Sequence, residues 1–275
     1  MNCMPPLKNK TWKRHSLKWY REGENMRNSL KRISVLTGRN FKEIVRDPLS
    51  LVFTIAMPLM MELVFYFLFH TQTMQFEMRY LAPGIVVFSQ AFLALFSGIL
   101  ISQDRESTFL TRLYVSKARS YEFIFGYALA MTPVVLGQTV LFFLVGGAIE
   151  PSLFSIGMLY SILLSLVTAA FYIGMGILIG TMCNEKAVGG VASIVIAGQS
   201  MLSGMWFPPE SMNKGMLVVM RCLPFKNATD LLRYGFVSSD GVFQGFWLPL
   251  LVTLGYLIVT FATAILVFRS KMKAK

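Results

Sequence analysis

The sequence predicts an all-α membrane protein with six transmembrane helices, an N-terminal amphipathic interface helix and a re-entrant outer hairpin before the last span. The first observation is composition, since 55% of the 275 residues are apolar, 15% are charged and the mean hydropathy is +0.57. Soluble domains carry roughly a quarter of charged residues, so a disordered chain is excluded and a soluble enzyme is disfavoured. The second observation is the net charge of +12, because an apolar but basic chain is typical of membrane proteins with positively charged loops.

Six apolar segments are long enough to cross a bilayer, which takes about 20 residues because the hydrocarbon core is about 30 Å thick. The first segment contains Glu62 as its single charged residue, and the other five contain no charge. Counts of five or seven spans are the alternatives to six. The predicted spans are residues 49–69, 81–102, 123–149, 153–182, 187–207 and 242–268.

The distribution of Lys and Arg predicts that both termini are cytoplasmic. In that orientation 21 of these residues lie on the cytoplasmic side and five lie outside, as the enrichment of basic residues in cytoplasmic loops requires. No apolar stretch precedes residue 49, so we expect no cleavable signal peptide. The first span then serves as the targeting signal.

The region before the first span divides into a basic cytoplasmic leader, residues 1–27, and an amphipathic interface helix, residues 28–48. Asp47-Pro48 ends this helix because the residue before a proline disfavours the α region. The helix would lie in the cytoplasmic interface, where it either anchors the chain on anionic lipid or docks a protein partner. At 100° per residue its apolar half contains Leu30, Ile33, Leu36, Phe41, Ile44 and Val45, and its charged half contains Lys31, Arg32, Arg39, Lys42, Glu43 and Arg46. A second basic segment, residues 269–275, forms the cytoplasmic tail.

The loop of residues 103–122 is the second feature outside the hydrocarbon. Residues 107–115 are compatible with a short helix, flanked by charged residues on both sides. Such a helix would offer a contact point for a soluble subunit, and a solvated connection is the alternative.

The loop before the sixth span contains two apolar clusters, residues 216–220 and 231–236, that are too short to cross the bilayer. Short amphipathic or re-entrant helices at the outer face fit this pattern better. Trp206 and Trp247 would mark the level of the membrane interface.

Polar residues within the spans have a functional and a structural interpretation. A carboxylate such as that of Glu62 costs roughly 2.5–3.5 kcal/mol at mid-membrane, so it should face protein or water. It either lies on a translocation path or is hydrogen-bonded at a helix interface. The same alternatives hold for Gln90, Gln138 and Gln199, as substrate contacts or as packing residues. The Gly176-x-x-x-Gly180 spacing would allow a close helix approach.

Catalytic and nucleotide-binding motifs are missing from the sequence. There is no G-x-x-x-x-G-K-[ST], so the chain has no P-loop for ATP, and there is no H-E-x-x-H or G-x-S-x-G. The three cysteines are too few and too scattered for a disulfide framework or a metal site. We therefore expect no catalytic residue, no metal and no cofactor in this chain, and the apolar runs disfavour nucleic acid as a partner.

Five strings, in this order, resemble the permease subunits of ABC-2 type transporters, over about residues 28–268. They are residues 39–49, 80–85, 104–113, 203–210 and 223–225. The string of residues 104–113 is similar to the family's R-E-x-G-T-x-x-R-L element, with Ser107 in place of the glycine. The resemblance implies ATPase-coupling roles for Asp104, Arg105, Glu106, Thr108, Leu110, Arg112 and Leu113. It implies interface-helix roles for Arg39, Lys42, Glu43, Arg46 and Asp47, and outer-hairpin roles for Trp206, Pro208, Pro209, Glu210 and Pro224.

The resemblance also implies a type V exporter-like half-transporter with a six-helix transmembrane domain over residues 49–268. Two copies, or this chain and a similar permease, would associate with two copies of a cytoplasmic ABC ATP-binding subunit, which would hold ATP and Mg²⁺. The family implies export of drugs, antibiotics, peptides or other amphipathic small molecules from a bacterial cell. The alternatives are a membrane-embedded sensor or immunity protein on the same scaffold, and a secondary transporter that uses Glu62.

Overall fold

The protein is a bundle of α-helices in a computed structural model that describes residues 9–107, 119–207, 212–237 and 245–273. Within these ranges there are nine α-helices and no strand. Side chains are described from residue 26 to residue 270, with gaps at 108–118, 208–211 and 237–244. The helices are α1 (Asn9–Arg46), α2 (Pro48–Phe69), α3 (Met78–Glu106), α4 (Ser120–Ile149), α5 (Ile156–Met182), α6 (Glu185–Leu202), α7 (Lys214–Cys222), α8 (Pro224–Val237) and α9 (Trp247–Lys273).

Among the described residues, five helices are long and apolar enough to cross a membrane: α2, α3, α4, α5 and the Trp247–Ser270 part of α9. Both ends of four of these helices, α2 to α5, lie within four residues of the predicted ends. Helix α5 starts later than predicted, because Pro151–Leu153 forms a separate 3₁₀ turn. Helix α9 begins at Trp247, five residues after the predicted start of the last span, and residues 242–244 lie outside the described residues.

The predicted span over residues 187–207 differs from the structure. Helix α6 has 18 residues, ends at Leu202 and is absent from the five candidate spans. Its several glycines and serines lower its apolar character, and the chain then bends because Gly204 has a φ of 67°. The last five residues of the predicted span therefore leave the helix, and the count of six spans stays a prediction.

Capping side chains fix where helices α2 and α6 begin. The Asp47 side chain accepts a hydrogen bond from the Ser50 amide, and Pro48 occupies the first turn of α2, where its missing N–H costs nothing. The Asn184 side chain accepts from the Ala187 amide and caps α6 in the same way. Each cap satisfies an otherwise orphan amide at a helix start.

The predicted close helix approach at Gly176 and Gly180 is confirmed. A Cβ atom on Gly176 would lie 2.1 Å from the Ala94 carbonyl oxygen, and one on Gly180 would lie 2.3 Å from that of Gly98. Helices α3 and α5 therefore touch backbone to backbone. Helix α3 is the most buried of the candidate spans, whereas α2 and α9 expose most of their surface.

Helix α1 joins two regions that the sequence analysis separated. It runs without a break from Asn9, inside the predicted leader, to Arg46. Its buried side is also rotated from the predicted apolar half, since Ser29, Asn40 and Ile44 are buried against the bundle while Leu30 is 62% exposed. Hydrogen bonds to α3 and α4 explain this rotation, because polar side chains with partners can be buried in place of apolar ones.

The bundle has two ends that differ in charge. We call the basic end the one where α1, the ends of α3, α5 and α9 and the starts of α4 and α6 lie together. The opposite end holds the end of α2, the start of α3 and helix α8.

Candidate functional site

The centre of the basic end is the Asp104 carboxylate near the end of α3. It is 4% exposed and accepts hydrogen bonds from both terminal nitrogens of Arg39 on α1, with Arg39 Nη2 2.6 Å from Asp104 Oδ1. The Tyr127 hydroxyl on α4 donates to the same carboxylate. A two-pronged arginine–carboxylate pair is among the stronger polar contacts in proteins. Asp104 therefore joins α1, α3 and α4 at one point.

The Arg39 guanidinium reaches further along α1. It lies 2.9 Å from a Glu43 carboxylate oxygen and donates to Asn40 Oδ1 at 2.9 Å. Partial burial and the Asp104 carboxylate raise the pKa of the Glu43 carboxyl above its usual range, although Arg39 and Arg46 oppose this shift. The positive charge of Arg39 thus lies between two carboxylates, those of Glu43 and Asp104.

Glu122 in the first turn of α4 forms a second link to α1. Its carboxylate is buried and accepts hydrogen bonds from the Ser29 hydroxyl and from the Arg119 amide, the latter at 3.0 Å. Arg32 on α1 lies 3.4 Å from the same carboxylate. Two buried carboxylates therefore fasten α1 to the bundle.

Arg105 and Glu106, two residues predicted to contact an ATPase, bind the protein's own α5–α6 turn. The Arg105 guanidinium donates to the carbonyl oxygens of Thr181 and Cys183, where α5 ends. The Glu106 carboxylate accepts from the Glu185 amide at 3.0 Å, where α6 begins. Unsatisfied carbonyls and amides at helix ends attract such charged side chains. The end of α3 is therefore bound to four other helices.

The remaining predicted residues of the basic end fall into two groups. Lys42 and Arg46 are exposed on α1, and Asp47 caps α2. The other predicted coupling residues, Thr108, Leu110, Arg112 and Leu113, lie outside the described residues.

The four polar residues predicted within the spans all lie in the protein interior. Gln138 donates to Ser89 Oγ at 3.0 Å, and Gln90 donates to the Ser165 carbonyl at 3.1 Å, so these two join neighbouring helices. Gln199 is buried near the Tyr172 hydroxyl. It makes no hydrogen bond of ordinary geometry with any described residue.

Glu62 differs from the three glutamines. Its side chain is 0% exposed, and neither carboxylate oxygen has a hydrogen-bond partner among the described residues. It faces Gly146 on α4, where a Cβ atom would lie 3.1 Å from Glu62 Oε1. Glu62 therefore faces protein, as expected from the cost of placing it in lipid, but the hydrogen bond of the structural alternative is absent from the described part of the chain.

At the opposite end, residues 203–207 lie across the start of α3. The Gly204 carbonyl accepts hydrogen bonds from Gln75 and from Arg233 Nη1, the latter at 3.1 Å. Arg233 on α8 is 8% exposed and also donates from Nε to the Tyr80 carbonyl at 3.0 Å. Backbone carbonyls thus hold a buried arginine that connects α8, α3 and this segment.

Trp206 fixes the same segment through aromatic contacts. Its ring centroid lies 4.1 Å from that of Phe65 and 6.1 Å from that of Phe88. Pro224 begins α8, whereas Pro208, Pro209 and Glu210 of the predicted hairpin lie outside the described residues. A re-entrant hairpin therefore stays a prediction.

Several of these residues were missed in the sequence analysis. Tyr127, Glu122 and Ser29 carry no local signal, because their partners lie 23 to 93 residues away. Arg233 could have been found from the local sequence, because it is the single charged residue of the apolar cluster 231–236.

The five candidate spans and the buried polar contacts between them define an integral membrane protein. The chain belongs to the ABC-2 type transporter family, whose model matches residues 31–237, well over half of its length. Proteins of this family are membrane components of ABC transporters, and they work with an ATP-binding subunit. A search of curated proteins found no match to the chain.

Proposed function

We propose that the chain is the permease subunit of an ATP-driven exporter, and that the basic end is the cytoplasmic side, where it receives the motion of a separate ATP-binding subunit. The observation that carries this proposal is the contact set at the end of α3. Asp104, Arg105 and Glu106 join α3 to four other helices, directly before residues 108–118. A displacement applied there would reach most of the bundle, because ion pairs and packed helices have few ways to absorb it.

The coupling roles of Arg105 and Glu106 take a different form from the sequence prediction. Their side chains are engaged with the α5–α6 turn, so we propose that they transmit motion inside the permease. Direct contact with the ATP-binding subunit would fall to the exposed Lys42 and Arg46 and to residues 108–113. ATP and Mg²⁺ would be held by the partner, in two copies.

A second copy of this chain, or a similar permease, would complete the translocation path. Helix α6 supports this, since a Cβ atom on Gly189, Gly190 or Gly198 would meet no other atom within 4 Å. Exposed Ile194 and Met201 alternate with these open glycines. Small residues on a membrane helix permit close approach of another helix.

Helix α1 would also contact anionic lipid on the cytoplasmic side. Leu30, Phe41 and Val45 form an exposed apolar stripe, with exposed Lys31 and Lys42 beside it. This combination is typical of helices that lie in a membrane interface.

The expected cargo is a drug, antibiotic, peptide or other amphipathic small molecule, by analogy with the family.

Affinity purification from native membranes, followed by mass spectrometry and an ATPase assay, tests the proposal. We expect a P-loop subunit to co-purify in equal amounts with the permease and to hydrolyse ATP with sensitivity to vanadate. Membranes that contain the untagged chain are the control. If no P-loop subunit and no ATPase activity are found in several mild detergents, the proposal fails and a sensor or immunity protein becomes the better interpretation.

A further inference from the structure

Helices α4, α5 and α9 enclose an apolar groove of about 170 Å³ on the lipid-facing side of the bundle. Phe125, Leu129, Thr132 and Val135 line it along α4, and Ala170 and Phe261 form its other walls. Phe125 and Phe261 stack with their centroids 5.8 Å apart. No described residue of the lining is charged, so the groove suits a hydrocarbon chain.

The length and depth of the groove match one leaflet of a bilayer. From Phe125 to Val135 the axis of α4 rises about 15 Å, at about 1.5 Å per residue. This is half of the hydrocarbon thickness of about 30 Å. The groove starts just over one turn from the beginning of α4 at Ser120, so it lies in the leaflet at the basic end.

Two arginines lie beyond the groove along α4 and α9, on the side of the basic end. The rings of Phe123 on α4 and Phe268 on α9 are 5.8 Å apart, which brings these helix ends together. Arg119 precedes α4 by one residue, Arg269 follows Phe268, and both are exposed. The Glu122 carboxylate, three residues along the chain from Arg119, is buried and is bonded to the Ser29 hydroxyl, the Arg119 amide and Arg32. This side of the groove therefore presents positive charge at the depth of lipid phosphates.

We propose that this groove is a binding site for an anionic phospholipid of the leaflet at the basic end. One acyl chain lies along α4 between Phe125 and Val135, and the phosphate is held by Arg119 and Arg269. This site is separate from the lipid surface of α1. It does not depend on whether the protein transports a substrate.

Photo-crosslinking in lipid nanodiscs tests the site. The probe is phosphatidylglycerol with a diazirine on an acyl chain, compared with phosphatidylcholine that carries the same diazirine. We expect phosphatidylglycerol to label peptides that contain residues 125–135 and 166–173 at least five-fold more than phosphatidylcholine does. Ala170→Phe should fill the groove and reduce labelling of these peptides by both probes.

Charge variants separate headgroup recognition from groove filling. The double variant Arg119→Gln/Arg269→Gln should reduce labelling by phosphatidylglycerol to the level of phosphatidylcholine. The controls are Ala262→Phe, at an exposed position of α9, and Lys186→Gln, at an exposed position of α6 at the same end. Both should label like the wild type.

Equal labelling of these peptides by the two probes in the wild type would overturn the proposal, and would indicate nonspecific contact with the bilayer. Unchanged phosphatidylglycerol labelling in the double arginine variant would overturn it as well. The side chains of both arginines are exposed, so this second test remains informative even if Ala170→Phe fails to fold.

Discussion

The two ends of the bundle differ in ion pairs between helices, although an arginine binds backbone carbonyls at each end. At the basic end, charged side chains pair with each other across helices, as Arg39 does with Asp104 and Arg32 does with Glu122. At the opposite end, the Arg233 side chain binds backbone carbonyls, and Trp206 packs among aromatic rings. The loss of one partner from a buried ion pair leaves an uncompensated charge, whereas aromatic packing weakens gradually. On the function proposed above, the basic end would transmit force and the opposite end would open.

The largest loss of folded protein is expected from disrupting the packing of α3 on α5, because both helices extend from one end of the bundle to the other. Gly176→Leu would drive a side chain into the Ala94 carbonyl, where even a Cβ atom would be 2.1 Å away. Overpacking of this kind forces the backbones apart. We expect the folded, monodisperse fraction in size-exclusion chromatography to fall at least about ten-fold.

The matched control for this change is Gly137→Leu on α4, where a Cβ atom would meet nothing within 4 Å. It should give a profile like that of the wild type. A normal yield of folded Gly176→Leu would show that the α3–α5 contact is looser than described.

A smaller effect is expected from breaking the basic end alone. Asp104→Asn keeps the shape of the side chain but removes the charge that pairs with Arg39. We expect a loss of about 2–4 kcal/mol, below the upper figures for buried pairs because Arg39 is partly exposed. Thermal unfolding in detergent measures this loss, and vanadate-sensitive ATPase activity of the purified complex should fall with it.

Asp230→Asn provides the same substitution in the less buried Lys226–Asp230 pair of α8. Pairs close to the surface contribute at most about 1 kcal/mol, so this variant should unfold near the wild-type temperature. If Asp104→Asn and Asp230→Asn unfolded at the same temperature, the Arg39–Asp104 pair would not contribute to stability as proposed.

The smallest effect is expected at the opposite end. Arg233→Met removes the hydrogen bonds to Gly204 and Tyr80 but leaves the one from Gln75 to Gly204. We expect a local loss of about 1–1.5 kcal/mol, and hence roughly ten-fold more frequent opening of the segment around Gly204. A maleimide probe on Met205→Cys, which replaces a buried residue, measures this opening in a variant with the native cysteines changed to serine.

Arg221→Met, at an exposed position of α7, is the control and should not change the labelling rate. The comparison of the two ends also requires that Asp104→Asn leave this rate unchanged. Faster labelling in Asp104→Asn would mean that a change at the basic end alters opening at the opposite end even without ATP.

The sequence predicted those parts of the fold that depend on local composition. Uninterrupted apolar runs placed α2 and α4 within three residues, and the Gly176/Gly180 spacing indicated a close helix contact. The span over residues 187–207 was predicted too long, because apolar character continues through the bend at Gly204.

Contacts between distant residues could not be predicted. The Arg39–Asp104 pair joins residues 65 positions apart, and neither residue differs locally from other charged residues near a membrane. The face of α1 that is buried against the bundle could not be predicted for the same reason. Ser29 and Asn40 look like surface residues until their burial and, for Ser29, the partners Glu122 and Tyr121 are known.

The backbone contact between α3 and α5 also limits how these helices can move. No side chain lies between Gly176 and the Ala94 carbonyl to absorb a gradual shift. The two helices run in the same direction, and Gly180 meets Gly98 four residues further along in the same way. A slide of α5 by four residues, about 6 Å, would place either Tyr172 opposite Ala94 or Asn184 opposite Gly98, so neither direction keeps both close contacts. The pair is therefore expected to move as one rigid unit.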